Sequence, residues 1–385
     1  MTAQPEQDAR WMRLALELAD TSLYVTAPNP RVGCVIVRDE SLLGQGATQR
    51  AGGAHAEVMA LRDAAEKGHD VRGSTVYVTL EPCSHYGRTP PCVDALVDAG
   101  VARVVISLCD PNPLVGGRGV ARLREAGIAV TLGVCGDDAL AMNVGFVSRM
   151  TRGLPWVWVK SGVSIDGHSA LPGGESQWIT GPLARADGHH WRARSCVTLT
   201  GIGTVRSDDP RLTVREVDTV RQPTRAVVDA RFEIDENARL FDGGKVWVFV
   251  CRIDRAKADR LAEKNVDVVV MPSCPAGIDL PSLMRWLAAH DVNEVHVEAG
   301  ARLSGALLES GCVDELLLYM APVILGQGRG MATMPAVATL DAAERFEFID
   351  ALPVGKDMRL RLRHPAHWAA LKQAVDQLVH RHLSE

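Results

Sequence analysis

Long apolar runs are missing from this 385-residue sequence. The longest, residues 316–325, is ten residues and contains Pro322, well short of the roughly 20 that a membrane-spanning helix needs. Blocks of like charge are missing as well, and the formal net charge is −5. That excludes an electrostatic hold on nucleic acid or on an anionic membrane. The opening MTAQPEQDAR lacks the basic-then-apolar pattern of a signal peptide, so a cytoplasmic location is expected. Nine cysteines, an odd number without framework spacing, speak against a disulfide scaffold and leave buried thiols, metal ligands or nucleophiles. No G-x-G-x-x-G follows any strand, so a Rossmann dinucleotide domain has no support. What is present, 46% hydrophobic and 23% charged residues over this length, describes a globular protein of two domains or three small ones.

The periodicity is α/β throughout. In the first half, helices are predicted over 8–20, 56–67, 91–99 and up to about 126, and strands over 32–37, 75–80, 103–107 and 128–132. The pattern restarts near RMTRGLP at 149–155. Strands are then predicted over 156–160, 197–200, 225–229, 246–251, 266–271 and 294–297, with helices near 182–193, 255–264 and 281–290. The reading is therefore a first α/β domain over 1–150, a second over 151–365, and an appended helical tail over 366–385.

Two strings carry chemistry. G-A-H-A-E-V-M-A, at 53–60, puts His55 and Glu57 in the first turn of a helix; E-P-C-S-H-Y-G-R-T-P-P-C, at 81–92, puts Cys83 after a strand and Cys92 just inside the next helix. One imidazole and two thiolates neutralise a zinc ion and leave its fourth tetrahedral position to water, whose pKa falls to about 7. A helix N-terminus favours the thiolate of Cys92. Glu57, two residues from the His, is placed to move protons beside the metal, as in zinc nucleobase deaminases. A structural zinc would want a fourth Cys or His and would leave Glu57 without a role. A nucleic-acid-editing deaminase would want a basic surface, which the charge of −5 does not supply.

The segments P-N-P-R-V-G-C (28–34), H-A-E (55–57), T-L-E-P-C-S-H-Y-G-R-T-P-P-C (79–92) and D-P-N-P-L-V-G-G-R-G (110–119) resemble one family. It is the bifunctional riboflavin-biosynthesis family that joins diaminohydroxyphosphoribosylaminopyrimidine deaminase to 5-amino-6-(5-phosphoribosylamino)uracil reductase. The resemblance runs over about residues 8–363. It implies a cytidine-deaminase-like domain followed by a dihydrofolate-reductase-like one. It also implies His55, Cys83 and Cys92 as zinc ligands and Glu57 as proton shuttle. Asn29 would meet the pyrimidine, and Asp110 and Asn112 the sugar phosphate.

K-S-G-V-S-I-D-G (160–167), G-E-S-Q-W-I-T (174–180), G-T-V-R-S-D-D-P-R-L-T-V-R (203–215) and H-V-E-A-G (296–300) are similar to the reductase half. By that resemblance Val163, Trp178, Thr204, Asp208 and Ala230 line an NADPH site. Its phosphates would meet the helix start formed by Gly300, Ala301, Arg302, Leu303, Ser304, Gly305 and Ala306. Ser176, Arg192, Leu212, Arg215 and Glu298 would hold a phosphoribosylated pyrimidine, and Lys160 would lie near the sugar being reduced. A homodimer through the reductase domain is implied. Three departures from the family pattern stand out: Ala54 in place of Pro, Ala301-Arg302 in place of Pro-Thr, and Ala230 where Ser is common.

Overall fold

The computed structural model describes residues 3–86, 90–113 and 115–383. It divides into two units, one running up to Arg152 and resuming at Ala369, the other spanning Gly153–Trp368.

In the first unit, α1 (Ala3–Thr21) buries Met12, Ala15 and Ala19, the stripe that predicted it. Then come β1 (Gly33–Arg38), β2 (Ser41–Ala47), α2 (Ala56–Glu66), β3 (Thr75–Leu80), α3 (Cys92–Asp98), β4 (Arg103–Leu108), α4 (Arg118–Glu125), β5 (Ala129–Leu132), α5 (Gly136–Met142) and α6 (Val144–Arg152). The sheet order is β2-β1-β3-β4-β5, with β1 antiparallel to both neighbours and β3, β4 and β5 parallel. This topology brings the start of β1 and the ends of β2, β3 and β4 to one edge of the sheet.

β2 was not legible in the sequence because Gly44 and Gly46 dilute its pattern. Both glycines are required: a Cβ at Gly44 would lie 2.3 Å from the Ala60 carbonyl oxygen, and one at Gly46 2.6 Å from the Ala60 nitrogen, so α2 packs directly on the strand backbone. The start of the stretch at 149–155, where the sequence pattern restarts, is helical, since α6 continues to Arg152 and buries Val144, Phe146 and Val147.

The second unit contains β6 (Trp156–Ser164), β7 (His168–Ala170), α7 (Pro182–Arg194), β8 (Val197–Gly201), α8 (Ile202–Asp208), β9 (Thr224–Val228), β10 (Val246–Val250), α9 (Arg255–Ala262) and β11 (Val266–Val270). It continues with β12 (Ser273–Cys274), β13 (Gly277–Ile278), α10 (Leu280–Ala289), β14 (Glu294–Val297), α11 (Ala301–Glu309), β15 (Glu315–Ala321), β16 (Arg329–Gly330), β17 (Glu347–Val354) and β18 (Asp357–Arg363). Its main sheet has nine strands in the order β11-β10-β9-β8-β14-β6-β15-β18-β17. All pairs are parallel until β18, which runs antiparallel to β15 and β17. Val157, Val159, Leu199, Phe249, Leu283, Leu287 and Val297 form part of its core.

The antiparallel edge was not predicted. In β18 Met358, Leu360 and Leu362 alternate with Arg359, Arg361 and Arg363, and those arginines are matched by Asp187, Asp350 and Glu315. The strand is thus completed by partners distant in sequence.

The last helix, α12 (Pro365–Leu383), starts in the second unit. From Ala369 on it belongs to the first, where Leu371 and Val375 are buried and Lys372 pairs with Asp137 at 2.6 Å. The tail is thus part of a domain. Among the described residues no helix is long and apolar enough to cross a membrane.

Candidate active sites

At the convergent edge of the first unit, His55 is the N-cap of α2 and Cys92 the first residue of α3, while Cys83 follows β3. His55 Nδ1 is 3.5 Å from Cys83 Sγ and 3.3 Å from Cys92 Sγ, and the three donor atoms all lie within 4.8 Å of one another. Zinc at about 2.3 Å from sulfur and 2.0–2.1 Å from nitrogen, in tetrahedral geometry, would separate N and S by about 3.6 Å. The donors fit the ion. Their charges fit it too. The Cys92 thiol and backbone N–H, together with His55, lower Cys83 to about 4 against burial, while sharing that proton and burial raise Cys92. Two cysteine sulfurs and one imidazole nitrogen are a donor set that zinc takes up with release of the thiol protons.

Glu57 stands in the first turn of α2, only 3% exposed. Burial, helped by the Cys83 charge, pushes it up to about 7, the range in which a carboxylate both takes and gives a proton. Asn29 lies in the turn before β1, where its backbone N–H donates to the Thr26 carbonyl oxygen at 2.9 Å. Two residues on, Asn143 clamps Arg31: the Arg31 N–H donates to Asn143 Oδ1 and the Arg31 oxygen accepts from Nδ2, both at 2.8 Å. Asp110, beyond β4, is buried and accepts the Asn112 N–H at 2.8 Å in an Asx turn. Burial raises Asp110 to about 7, with Glu81 and Cys83 near enough to add to the effect. The fold therefore gathers segments 29–34, 55–57, 83–86, 90–92 and 110–112 at one edge. Gly87, Arg88, Thr89 and Leu114, within the quoted motifs, lie outside the described residues.

In the second unit the expected residues collect at the carboxyl ends of parallel strands, where open α/β sheets bind ligands. Val163 is on β6, Thr204 and Asp208 on α8 after β8, Ala230 just past β9, and Glu298 and Gly300 just past β14. The Gly300 N–H donates to Thr204 Oγ1 at 3.2 Å, which ties the start of α11 to α8. Within the glycine-rich helix start, Gly300 and Arg302 face solvent while Ser304 and Gly305 turn inward. A Cβ at Gly305 would meet the Thr333 carbonyl oxygen at 2.0 Å, so this glycine serves packing. Trp178 is 68% exposed, with the Arg185 guanidinium 4.2 Å from its ring centre. Ser176 lies two residues before it and is half-buried.

Lys160 lies in β6, one residue past Val159, just as Glu298 follows Val297, the partner of Val159 in β14. Burial lowers its pKa, opposed by the Glu298 charge. Arg192, from α7, grips Glu298 with two nitrogens and donates to the Thr213 carbonyl oxygen at 3.0 Å. Near it, burial and the two arginines 192 and 215 lower His189 to about 4, and its Nδ1 accepts the Arg215 N–H at 3.1 Å. Leu212 is buried at a positive φ of 53°. Sequence reasoning missed His189, Arg185 and Glu81. His189 and Glu81 meet partners 26 and 29 positions away, while Arg185 meets Trp178 on the loop before its own helix; of the three only Glu81, the acid directly after an apolar strand, left a local sign.

The two halves match two different families. The cytidine and deoxycytidylate deaminase zinc-binding region matches residues 5–108, and the RibD C-terminal domain matches residues 155–360. Riboflavin biosynthesis protein RibD of Escherichia coli (strain K12) is 46% identical over 370 residues, 92% of this chain and 99% of that one. Acinetobacter baumannii RibD superposes with a TM-score of 0.86 at 42% identity, covering 94% of this chain and 99% of the other. The diaminohydroxyphosphoribosylaminopyrimidine deaminase/5-amino-6-(5-phosphoribosylamino)uracil reductase of Thermotoga maritima does so with 0.83 at 30%, with the same coverage. Fold and sites thus define a bifunctional enzyme, a zinc-dependent deaminase followed by an NADPH-dependent reductase. The chain belongs to the RibD family of riboflavin-biosynthesis proteins.

Proposed function

We propose that the first unit deaminates 2,5-diamino-6-ribosylamino-4(3H)-pyrimidinone 5′-phosphate and the second reduces the resulting 5-amino-6-(5-phosphoribosylamino)uracil. The observation that carries the first half is the His55–Cys83–Cys92 donor triangle with buried Glu57 beside it. Those three side chains would hold zinc, which would supply the Lewis acidity that makes water a nucleophile at neutral pH. Glu57 would take one proton from the attacking water and give it to the ring nitrogen, then take the proton of the added hydroxyl and give it to the 2-amino group, which leaves as ammonia while the carbonyl forms. Asn29 hydrogen-bonds the pyrimidine, and Asp110 with Asn112 orients the sugar phosphate.

In the second unit NADPH supplies the hydride. Val163, Trp178, Thr204, Asp208, Ala230 and the turn at Gly300–Arg302 hold it. Ser176, Arg192, Leu212, Arg215 and Glu298 bind the substrate. Reduction of ribosyl to ribityl adds a hydride at C1′ and a proton at the ring oxygen, and Lys160 Nζ, its pKa lowered by burial, holds that proton. The domains are read as deaminase up to Arg152 with the helix from Ala369, and reductase between them. The enzyme works in the cytoplasm as a homodimer joined through the reductase. Edge strand β17 supports this, because it exposes Phe348 (68%) and Leu352 (47%).

The test is a coupled assay on the purified chain: ammonia release from the pyrimidine phosphate, followed by NADPH oxidation. Ammonia release from tRNA or single-stranded DNA instead would overturn the reading. Light scattering reports the dimer.

A further inference from the structure

We infer that Glu81 is a positioning residue of the deaminase site, one that fixes Asp110 and Asn112 at a set place relative to the metal ligands. It rests on the reading of Asp110 and Asn112 as the sugar-phosphate end of that site. Glu81 ends the run from β3 and is only 3% exposed. Its carboxylate accepts four backbone N–H groups from a segment about 30 residues further on. Oε2 takes those of Asp110 (3.1 Å) and Gly117 (3.0 Å); Oε1 takes those of Gly119 (2.9 Å) and Val120 (3.2 Å). The last two belong to the first turn of α4, where aligned N–H dipoles favour a negative charge.

The contact is tight from both sides. A Cβ on Gly119 would lie 2.3 Å from the Pro82 carbonyl oxygen and 3.0 Å from Glu81 Oε1, so the segment presses directly on residues 81 and 82. The next residue is Cys83. One short piece of chain therefore carries a metal ligand at one end and, at the other, the anchor of the loop bearing Asp110. The Asx turn from Asp110 to the Asn112 N–H then carries the constraint to Asn112.

A carboxylate suits this task because it is acceptor-only on both oxygens. In Glu81→Gln the amide nitrogen would point a donor at two N–H donors, so one side of the clasp opens while size and shape persist. Glu81→Asp keeps both acceptors on a stem one methylene shorter.

The experiment compares full-length E81Q, E81D and D110A with the parent chain. Steady-state deamination is measured with zinc content and with reduction of supplied 5-amino-6-(5-phosphoribosylamino)uracil on the same preparations. E81Q is expected to keep its zinc and its reductase activity while KM for the pyrimidine phosphate rises about tenfold and kcat stays within about threefold, the pattern of lost substrate positioning. E81D recovers part of that loss, and carries the comparison alone if E81Q does not accumulate as folded protein. A raised KM in D110A with normal KM in the Glu81 variants overturns the role of Glu81. Normal KM in all three overturns the reading of the loop itself. Loss of zinc from E81Q also overturns the inference, since Glu81 would then support the metal and not the loop.

Discussion

Arg192 and Glu298 form a forked ion pair at the carboxyl end of β14, with side chains only 14% and 15% exposed. Burial alone would disfavour both charges; each is kept ionised by the other, which holds Glu298 well below its ordinary range and Arg192 above its own. Removing one partner strands a buried charge. Arg192→Leu is therefore expected to destabilise the reductase by about 3–5 kcal/mol, and the double variant with Glu298→Leu to recover most of that. NADPH oxidation should stay low in both. Denaturant unfolding of the two variants, read beside the reductase assay, separates the stability role from the substrate role.

Glu57→Gln keeps the shape of the side chain but removes its basicity. Ammonia release should fall on the order of 10²–10⁴-fold. Zinc content should be unchanged, and reduction of supplied deaminated intermediate should proceed at the parent rate. Equal loss of both activities would contradict separate sites.

Cys83→Ser or Cys92→Ser should take the chain from about one zinc to none, because each removes a thiolate from a three-residue donor set. Elemental analysis after dialysis is the measurement. Chelation of the parent enzyme should stop deamination and spare reduction.

Asp208, exposed at the end of α8, lies on the same helix as Thr204, which accepts the Gly300 N–H, and is proposed to contact the cofactor. Asp208→Ala is expected to raise KM for NADPH about tenfold or more, the value of a hydrogen bond to a charged group. Ammonia release is expected to continue unchanged. A nicotinamide titration followed by fluorescence checks the binding directly.

Leu371, fully buried in the part of α12 that belongs to the first unit, should cost about 2–5 kcal/mol when replaced by Ala. The loss should appear in the thermal unfolding of the deaminase, with reductase activity retained.

What the sequence showed and what it hid follow from the range of the interactions. Val76 to Leu80 and Val295 to Val297 are short valine-rich stretches flanked in the sheet by strands of the same kind, and both strands were legible. The metal site was legible because its ligands sit at helix starts and a strand end, places that the local pattern marks. β2 and β18 were not, since glycines pressed by α2 and arginines answered by Asp187, Asp350 and Glu315 look like a loop and a charged tail until their partners are known. The Glu81 clasp is the same case at the site: its four donors begin at Asp110, and nothing near position 81 announces them.

The return of the last helix to the first unit also sets an order of events on the ribosome. Once Arg152 has been added, the deaminase still lacks the helix whose Leu371 and Val375 bury against it, and about 200 residues of reductase must be made before that helix arrives. At roughly 5–20 residues per second that is a wait of about 10–40 s. The domain that begins first is thus completed last, and the nascent deaminase spends that interval with an apolar face uncovered. Chaperone demand during synthesis should therefore fall on the half of the enzyme that emerges first.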